Sequence, residues 1–275
     1  MFPFFILTRL LVNIAEIKSN PLDKFFCKTY RTPSGSLYIF FLSILSGYPM
    51  GAKLISAMYE NGQIDSNQAK KMLSFCSVSG PMFIVGTVGV GILNSYKAGI
   101  IILICNIIAS LLNGLIYRGK ICNDKKQNYQ QIKKDNLLSD SVYDSLQSIL
   151  MVGGFIVLSF LAIDILKNLQ ILPVISNTIS WVSHNKLSAD MVESVLSGLI
   201  EMTRGIIDLN CTSITLASKT IIASALIGFG GVSIMMQSLS FLNKLKIPAK
   251  TMFLQKLTQG FICILITFLA VSILL

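Results

Sequence analysis

Apolar residues fall in runs too long for a soluble core, and polar residues collect between them. Residues 98–117, AGIIILICNIIASLLNGLIY, carry no charge over about the 20 positions that a bilayer core requires. Residues 145–166 and 252–275 form similar runs, with Asp164 and Lys256 near one end of each, and residues 1–17 form a weaker one carrying Arg9 and Glu16. Other apolar segments are broken. Glycine and proline interrupt 36–58, and charged residues interrupt 191–210. Small residues and hydroxyls interrupt 72–94 and 213–242. The pattern predicts an all-α integral membrane protein that mixes whole helices with broken ones.

The order of parts occurs twice. A membrane helix (1–17; 145–166) precedes a proline-containing amphipathic stretch (18–34; 167–187). A broken segment (36–58; 191–210), an interrupted helix (72–94; 213–242) and a plain helix (98–117; 252–275) follow. An offset of 154 maps Leu42, Ser43 and Leu45 onto Leu196, Ser197 and Leu199. It also maps Gly51 onto Gly205, and Phe75, Val78 and Ser79 onto Phe229, Val232 and Ser233. The expected organisation is a first membrane repeat at 1–117, a polar cytoplasmic linker at 118–144 and a second repeat at 145–275.

Charge sets the orientation. If 36–58 and 191–210 are re-entrant, the polar stretches 18–33, 60–71, 118–140 and 243–256 share one side and hold 16 Lys and Arg. The opposite side, 94–98 and 164–193, holds 3. That bias fits the positive-inside rule and points the two repeats oppositely across the bilayer, an arrangement common in secondary transporters. The net charge of +10 therefore reads as membrane orientation and not as a nucleic-acid footprint.

Composition agrees. Of 275 residues 53% are hydrophobic and 13% charged, against about 25% charged in an average soluble domain; mean hydropathy is +0.68. The cysteines Cys27, Cys76, Cys105, Cys122, Cys211 and Cys263 include no C-x-x-C pair and read as reduced structural thiols. A single histidine, His184, excludes a histidine metal cluster. The apolar start reads as a retained helix rather than a cleaved signal. Trp181 marks a membrane–water interface. No nucleophile with its base and no catalytic carboxylate pair is present, so the protein is not expected to be an enzyme, and no cofactor or metal is expected.

The candidate chemistry lies in the breaks. Unpartnered backbone is costly in hydrocarbon, so irregular backbone at membrane depth lies within protein or beside water. In SGYPMGAK, Ser46, Gly47, Tyr48 and Gly51 frame a turn, Pro49 suits a first helical turn, and Lys53 faces a wet cavity. The counterpart GLIEMTRG supplies Glu201, Thr203, Arg204 and Gly205. Glu201 and Arg204 share a helix face, either as a structural ion pair or as part of a substrate or ion site. Ser77, Ser79 and Gly80 in one later break, and Gly230, Gly231, Ser233 and Gln237 in the other, complete the candidate substrate-binding set; small residues there also serve close helix packing. The run GTVGVG (86–91) reads as helix packing, not as a nucleotide loop.

MFPFFI, LSGYPMGAK, LSFCSVSGPMFIVGTVGVG, EMTRG and GFGGVSIMMQ resemble the sporulation integral membrane proteins of the YlbJ (SpoVV) family, within the nucleoside-recognition, or Gate, domain group. The resemblance covers nearly the whole chain. Relatives usually carry further hydrophobic helices ahead of the FPFFI region, so a short member or a domain of a longer one is expected. The resemblance implies two inverted-topology repeats with broken and re-entrant helices, related to concentrative nucleoside transporters. It also implies a transport role in endospore formation, moving dipicolinate, a flat aromatic dicarboxylate, across the outer forespore membrane. Lys53 and Arg204 near two half-helix starts suit two carboxylates, and Glu201 would offset the cations or carry a coupling proton. A nucleoside permease and a non-transporting scaffold of a sporulation complex are the alternatives. Expected partners are the lipid bilayer, a small anionic aromatic substrate or a nucleoside, a coupling proton or sodium ion, and a second copy of the chain; no nucleic acid is expected.

Overall fold

The computed structural model describes residues 2–3, 5–7, 21–119, 137–245 and 247–275, and these are helical with short connections. The helices are α1 (Pro21–Tyr30), α2 (Ser36–Ser46), α3 (Met50–Glu60), α4 (Ser66–Cys76), α5 (Met82–Ile92, π-helical), α6 (Tyr96–Ile116) and α7 (Leu137–Asn168). They continue as α8 (Ile171–Val182), α9 (Ala189–Ile200), α10 (Met202–Asn210), α11 (Leu216–Phe229), α12 (Gly231–Phe241) and α13 (Ala249–Leu274). Among the described residues, four stretches are long and apolar enough to cross a membrane: Tyr96–Ile116, Leu138–Asn168, Leu216–Phe241 and Ala249–Leu274. Only 11% of the apolar window of Leu138–Asn168 is buried, so this helix offers lipid an apolar surface. The protein is an integral membrane protein.

Most expected segments appear as helices, with two shifts. α7 starts at Leu137, so residues 137–144, expected in the linker, are helical, with Asp140 in the first turn. Asp140 there complements the positive end of the helix dipole. α4 starts at Ser66 rather than residue 72, because Asp65 and Gln68 form a capping box: Gln68 N donates to Asp65 Oδ1 at 2.7 Å and Asp65 N to Gln68 Oε1 at 2.8 Å. Most of segment 1–17, most of the linker, and Cys122 lie outside the described residues.

The chain forms two compact units that interleave along the sequence. One is Met1–Gly80, Ser110–Gly153 and Gln237–Gln255, and the other is Pro81–Ala109, Gly154–Met236 and Lys256–Leu275. The boundaries fall within α6, α7, α12 and α13, so each unit draws on both expected repeats.

In the first unit an aromatic cluster packs α1, α2 and α4. Phe26 stacks on Tyr30 at 4.3 Å between centroids, and Phe75 meets Tyr30 at 5.2 Å and Phe40 at 5.8 Å. The buried amide of Asn113 donates to Ser74 O at 2.8 Å and Gln255 O at 3.0 Å, tying three helices without a charge. Buried Asp23 sits over the start of α2, accepting from Gly35 N and Ser34 Oγ at 2.9 Å each and from Leu37 N at 3.4 Å.

Asp23 also acts on Cys27, whose Sγ donates to Asp23 Oδ1 at 3.5 Å and to Pro33 O at 3.0 Å. Burial first, and the Asp23 charge second, push the Cys27 thiol up to about 12. The raised value favours the protonated form, so the reactive thiolate is on the order of one part in ten thousand at pH 8. Cys211 is exposed. Maleimide at neutral pH, followed by peptide mapping, is expected to modify Cys211 within minutes and leave Cys27 intact. Equal rates at both would contradict this environment.

In the second unit Gly89 of α5 packs on Gly99 of α6: a Cβ at Gly89 would stand 2.6 Å from Gly99 Cα. That contact accounts for a glycine of GTVGVG as helix packing.

Candidate functional site

The two broken segments, 36–58 and 191–210, each reverse the chain. Ser43 and Gly51 would be about 12 Å apart on a straight helix. Instead a Cβ on Gly51 would stand 2.9 Å from Ser43 Oγ and would overlap the Cys76 carbonyl oxygen. In the second unit a Cβ on Gly205 would overlap Gly198 Cα and stand 2.7 Å from Ser194 O, although residues 194 and 205 are about 16 Å apart along a straight helix. α2–α3 and α9–α10 are therefore helical hairpins, and limbs of 9 to 12 residues reach about half of a bilayer core.

Each hairpin tip meets a break in another helix of its own unit. In the first unit, Gly47 at the tip has φ +75°, which a side chain resists. A Cβ there would stand 2.7 Å from Gly80 N, in the non-helical stretch 77–80 after α4. Ser46, Tyr48, Ser77, Ser79 and Gly80 are all buried at or beside this junction. In the second unit, Gly230 and Gly231 separate α11 from α12, both with positive φ. A Cβ at Gly231 would stand 3.0 Å from Ile200 O and 3.2 Å from Gly198 O, at the tip of the second hairpin. Ser233 Oγ donates to Phe155 O at 3.4 Å. Buried Gln237 belongs to the first unit.

The charged candidates are placed differently from one another. Glu201 and Arg204 do not form the side-chain pair that their spacing suggests, because Glu201 is the N-cap of α10 and not a helical residue. Its Oε2 accepts from Arg204 N at 2.8 Å, so the start of this half-helix is already capped by a carboxyl group of the protein's own, with Thr203 in its first turn. The Arg204 guanidinium turns to Asp164 at 3.1 Å and Asp208 at 3.2 Å, 5.6 Å from the Phe160 ring centroid. Lys167 joins the cluster, 2.8 Å from Asp208 and 3.1 Å from Glu193. These groups fasten the second hairpin to the end of α7. Of the cluster, sequence reasoning singled out Arg204 and noted Asp164.

Lys53 lines an open cavity. Its Nζ donates to Ser148 Oγ at 2.6 Å and Asp144 O at 3.3 Å, and lies 5.9 Å from the Phe241 ring centroid. The cavity, about 440 Å³, is lined by Lys53, Asp144, Gln147, Ser148, Met151 and Phe241, all in the first unit. Only Lys53 was legible beforehand. Asp144, Ser148 and Met151 share one face of α7 at spacings of four and three, a pattern hidden by placing residue 144 in the linker.

The chain is 29% identical over 288 aligned positions to the sporulation integral membrane protein YlbJ of Bacillus subtilis (strain 168), covering 94% of this chain and 70% of that protein. The similarity to that protein runs along nearly the whole of this chain. No family profile matches it, and no solved structure matches it. The similarity to this integral membrane protein agrees with the apolar helices in making the chain a membrane protein. The hairpins and the Lys53 cavity lie within the span that the two proteins share.

Proposed function

We propose that this protein is a membrane transporter for a small aromatic carboxylate, with dipicolinate carried across the outer forespore membrane as the leading case. The observation that carries the reading is the Lys53 cavity. An ammonium, a nearby aromatic face and the polar side chains of Ser148 and Gln147 line a volume suited to a small molecule. A flat ring would stack on Phe241 while one carboxylate meets Lys53. Asp144 on the same wall favours turning a second carboxylate towards the open mouth. Recognition is assigned to Lys53 because it lines the cavity, and Arg204 is not among the lining residues.

Two hairpins, each with its tip against a helix break, support a duplicated and oppositely inserted fold of re-entrant helices. The recurring helix order adds support: the starts of α2–α6 are followed at offsets of 149 to 153 by those of α9–α13. In this reading, rocking of packed helices alternates access to the site.

The test is uptake of labelled dipicolinate into proteoliposomes. Lys53→Ala is expected to reduce uptake at least about tenfold, or ~1.4 kcal/mol of transition-state or binding energy. Lys53→Arg, which keeps the charge, should retain more activity than Lys53→Ala. No dipicolinate uptake by the intact protein would overturn the reading. Competition by uridine at equal concentration would move the assignment to a nucleoside.

A further inference from the structure

Lys256 falls in the basic stretch 243–256 of the sequence, but it lies seven residues inside α13 and is 2% exposed. Its Nζ donates to Gln259 Oε1 at 3.0 Å. Gln259, Cys263 and Thr267 follow on the same face of α13 at spacings of three and four, and all are buried. Cys263 Sγ donates to Asn106 Oδ1 on α6 at 3.5 Å, and Asn106 Nδ2 donates to Ser224 Oγ on α11 at 3.1 Å. Thr267 Oγ1 closes the series, donating to Ser224 Oγ at 2.7 Å. A polar seam about 16 Å long thus runs within one unit, between three apolar helices. At its Lys256 end the Gln259 Nε2 atom is buried and has no hydrogen-bond partner among the described residues.

An ammonium at membrane depth is costly, and a methionine could fill similar volume without that cost. Hydroxyl and thiol groups both give and accept protons. Among the described residues, the other titratable groups on the three helices that line the seam include cysteines and lysines. Cys263 lies on the same helix, α6 brings Cys105 and, at its exposed start, Lys97, and α11 brings Lys219, which donates to Asn210 O at 2.7 Å. No carboxylate belongs to these parts of α6, α11 and α13.

We propose that Lys256 is a proton-binding site inside the membrane and that its proton exchange is the coupling step of transport. The ammonium releases one proton to water, leaving a neutral amine, and rebinding restores the charge. The coupling clause rests on the transport reading above; the proton-binding clause does not.

Two measurements separate them. In the full chain, ¹⁵N-labelled at lysine and reconstituted in liposomes, solid-state NMR follows the Nζ signals from about pH 5 to pH 9, where exposed lysines stay ammonium. One signal is expected to move from ammonium to amine, and to be missing in Lys256→Met. Ammonium signals throughout would overturn the proton site. Dipicolinate counterflow and pH-gradient-driven accumulation are then compared. Lys256→Met and Lys256→Arg are expected to keep counterflow but to lose pH-driven accumulation by about tenfold, a typical coupling factor. Lys256→Gln, checked for a monodisperse gel-filtration peak, covers the case in which the other variants misfold. Full pH-driven accumulation in folded variants would overturn the coupling, whereas no counterflow by the intact protein would overturn the transport reading and leave the NMR result standing.

Discussion

Gly205→Val is expected to prevent the protein from accumulating in folded form. The new Cβ would overlap Gly198 Cα of the facing limb and stand 2.7 Å from Ser194 O. Both obstacles are backbone, so no rotamer change relieves them, and the two limbs must separate. Overpacking usually costs about 1–3 kcal/mol, and a clash between two main chains belongs at or beyond the upper end. The readout is the monodisperse fraction and melting temperature of detergent-solubilised protein. Gly153→Ala is the control, because nothing lies within 4 Å of a Cβ at that position, and it should be neutral or stabilising by up to ~1 kcal/mol through helix propensity. A Gly205→Val protein melting with the wild type would show that the limbs do not pack as described.

Asp23→Ala is the second large effect, at about 3 kcal/mol. The side chain is buried and accepts from two backbone N–H groups and a hydroxyl at the start of α2. Removing it leaves those donors without their acceptor, at about 1–3 kcal/mol for each unsatisfied buried group, partly regained through water. Asp23→Asn keeps one acceptor oxygen and should lose roughly half as much. The same substitutions remove the carboxylate beside Cys27, so maleimide should reach that thiol faster. Thermal melting and peptide mapping on the same samples check both consequences.

The broken helices were legible because glycine, proline and charge are rare in apolar runs and so mark the breaks. Chain reversal was legible only through the distribution of Lys and Arg, since periodicity alone does not show direction. The Asp65–Gln68 capping box could have placed the start of α4, because its residue types and spacing stand in the sequence. Asn106 and Asn113 are seven apart in a run read as a plain helix, and that spacing already marks one polar face. Asp23, Phe241 and Ser148 gave no comparable signal, because their roles come from neighbours distant in the chain. Glu201 and Arg204 misled for a physical reason: the chain turns at Glu201, so a helical spacing rule does not apply across it.

The cap on α10 makes the two hairpins unequal as hosts for a visiting anion. Glu201 is a tethered occupant of its own helix start, whereas Gly47 at the tip of the first hairpin brings no side chain and Pro49 gives α3 no side-chain cap. A guest carboxylate arriving at the second hairpin would have to evict a resident that never diffuses away. Two similarly shaped pieces of backbone therefore do not amount to two equivalent docking places.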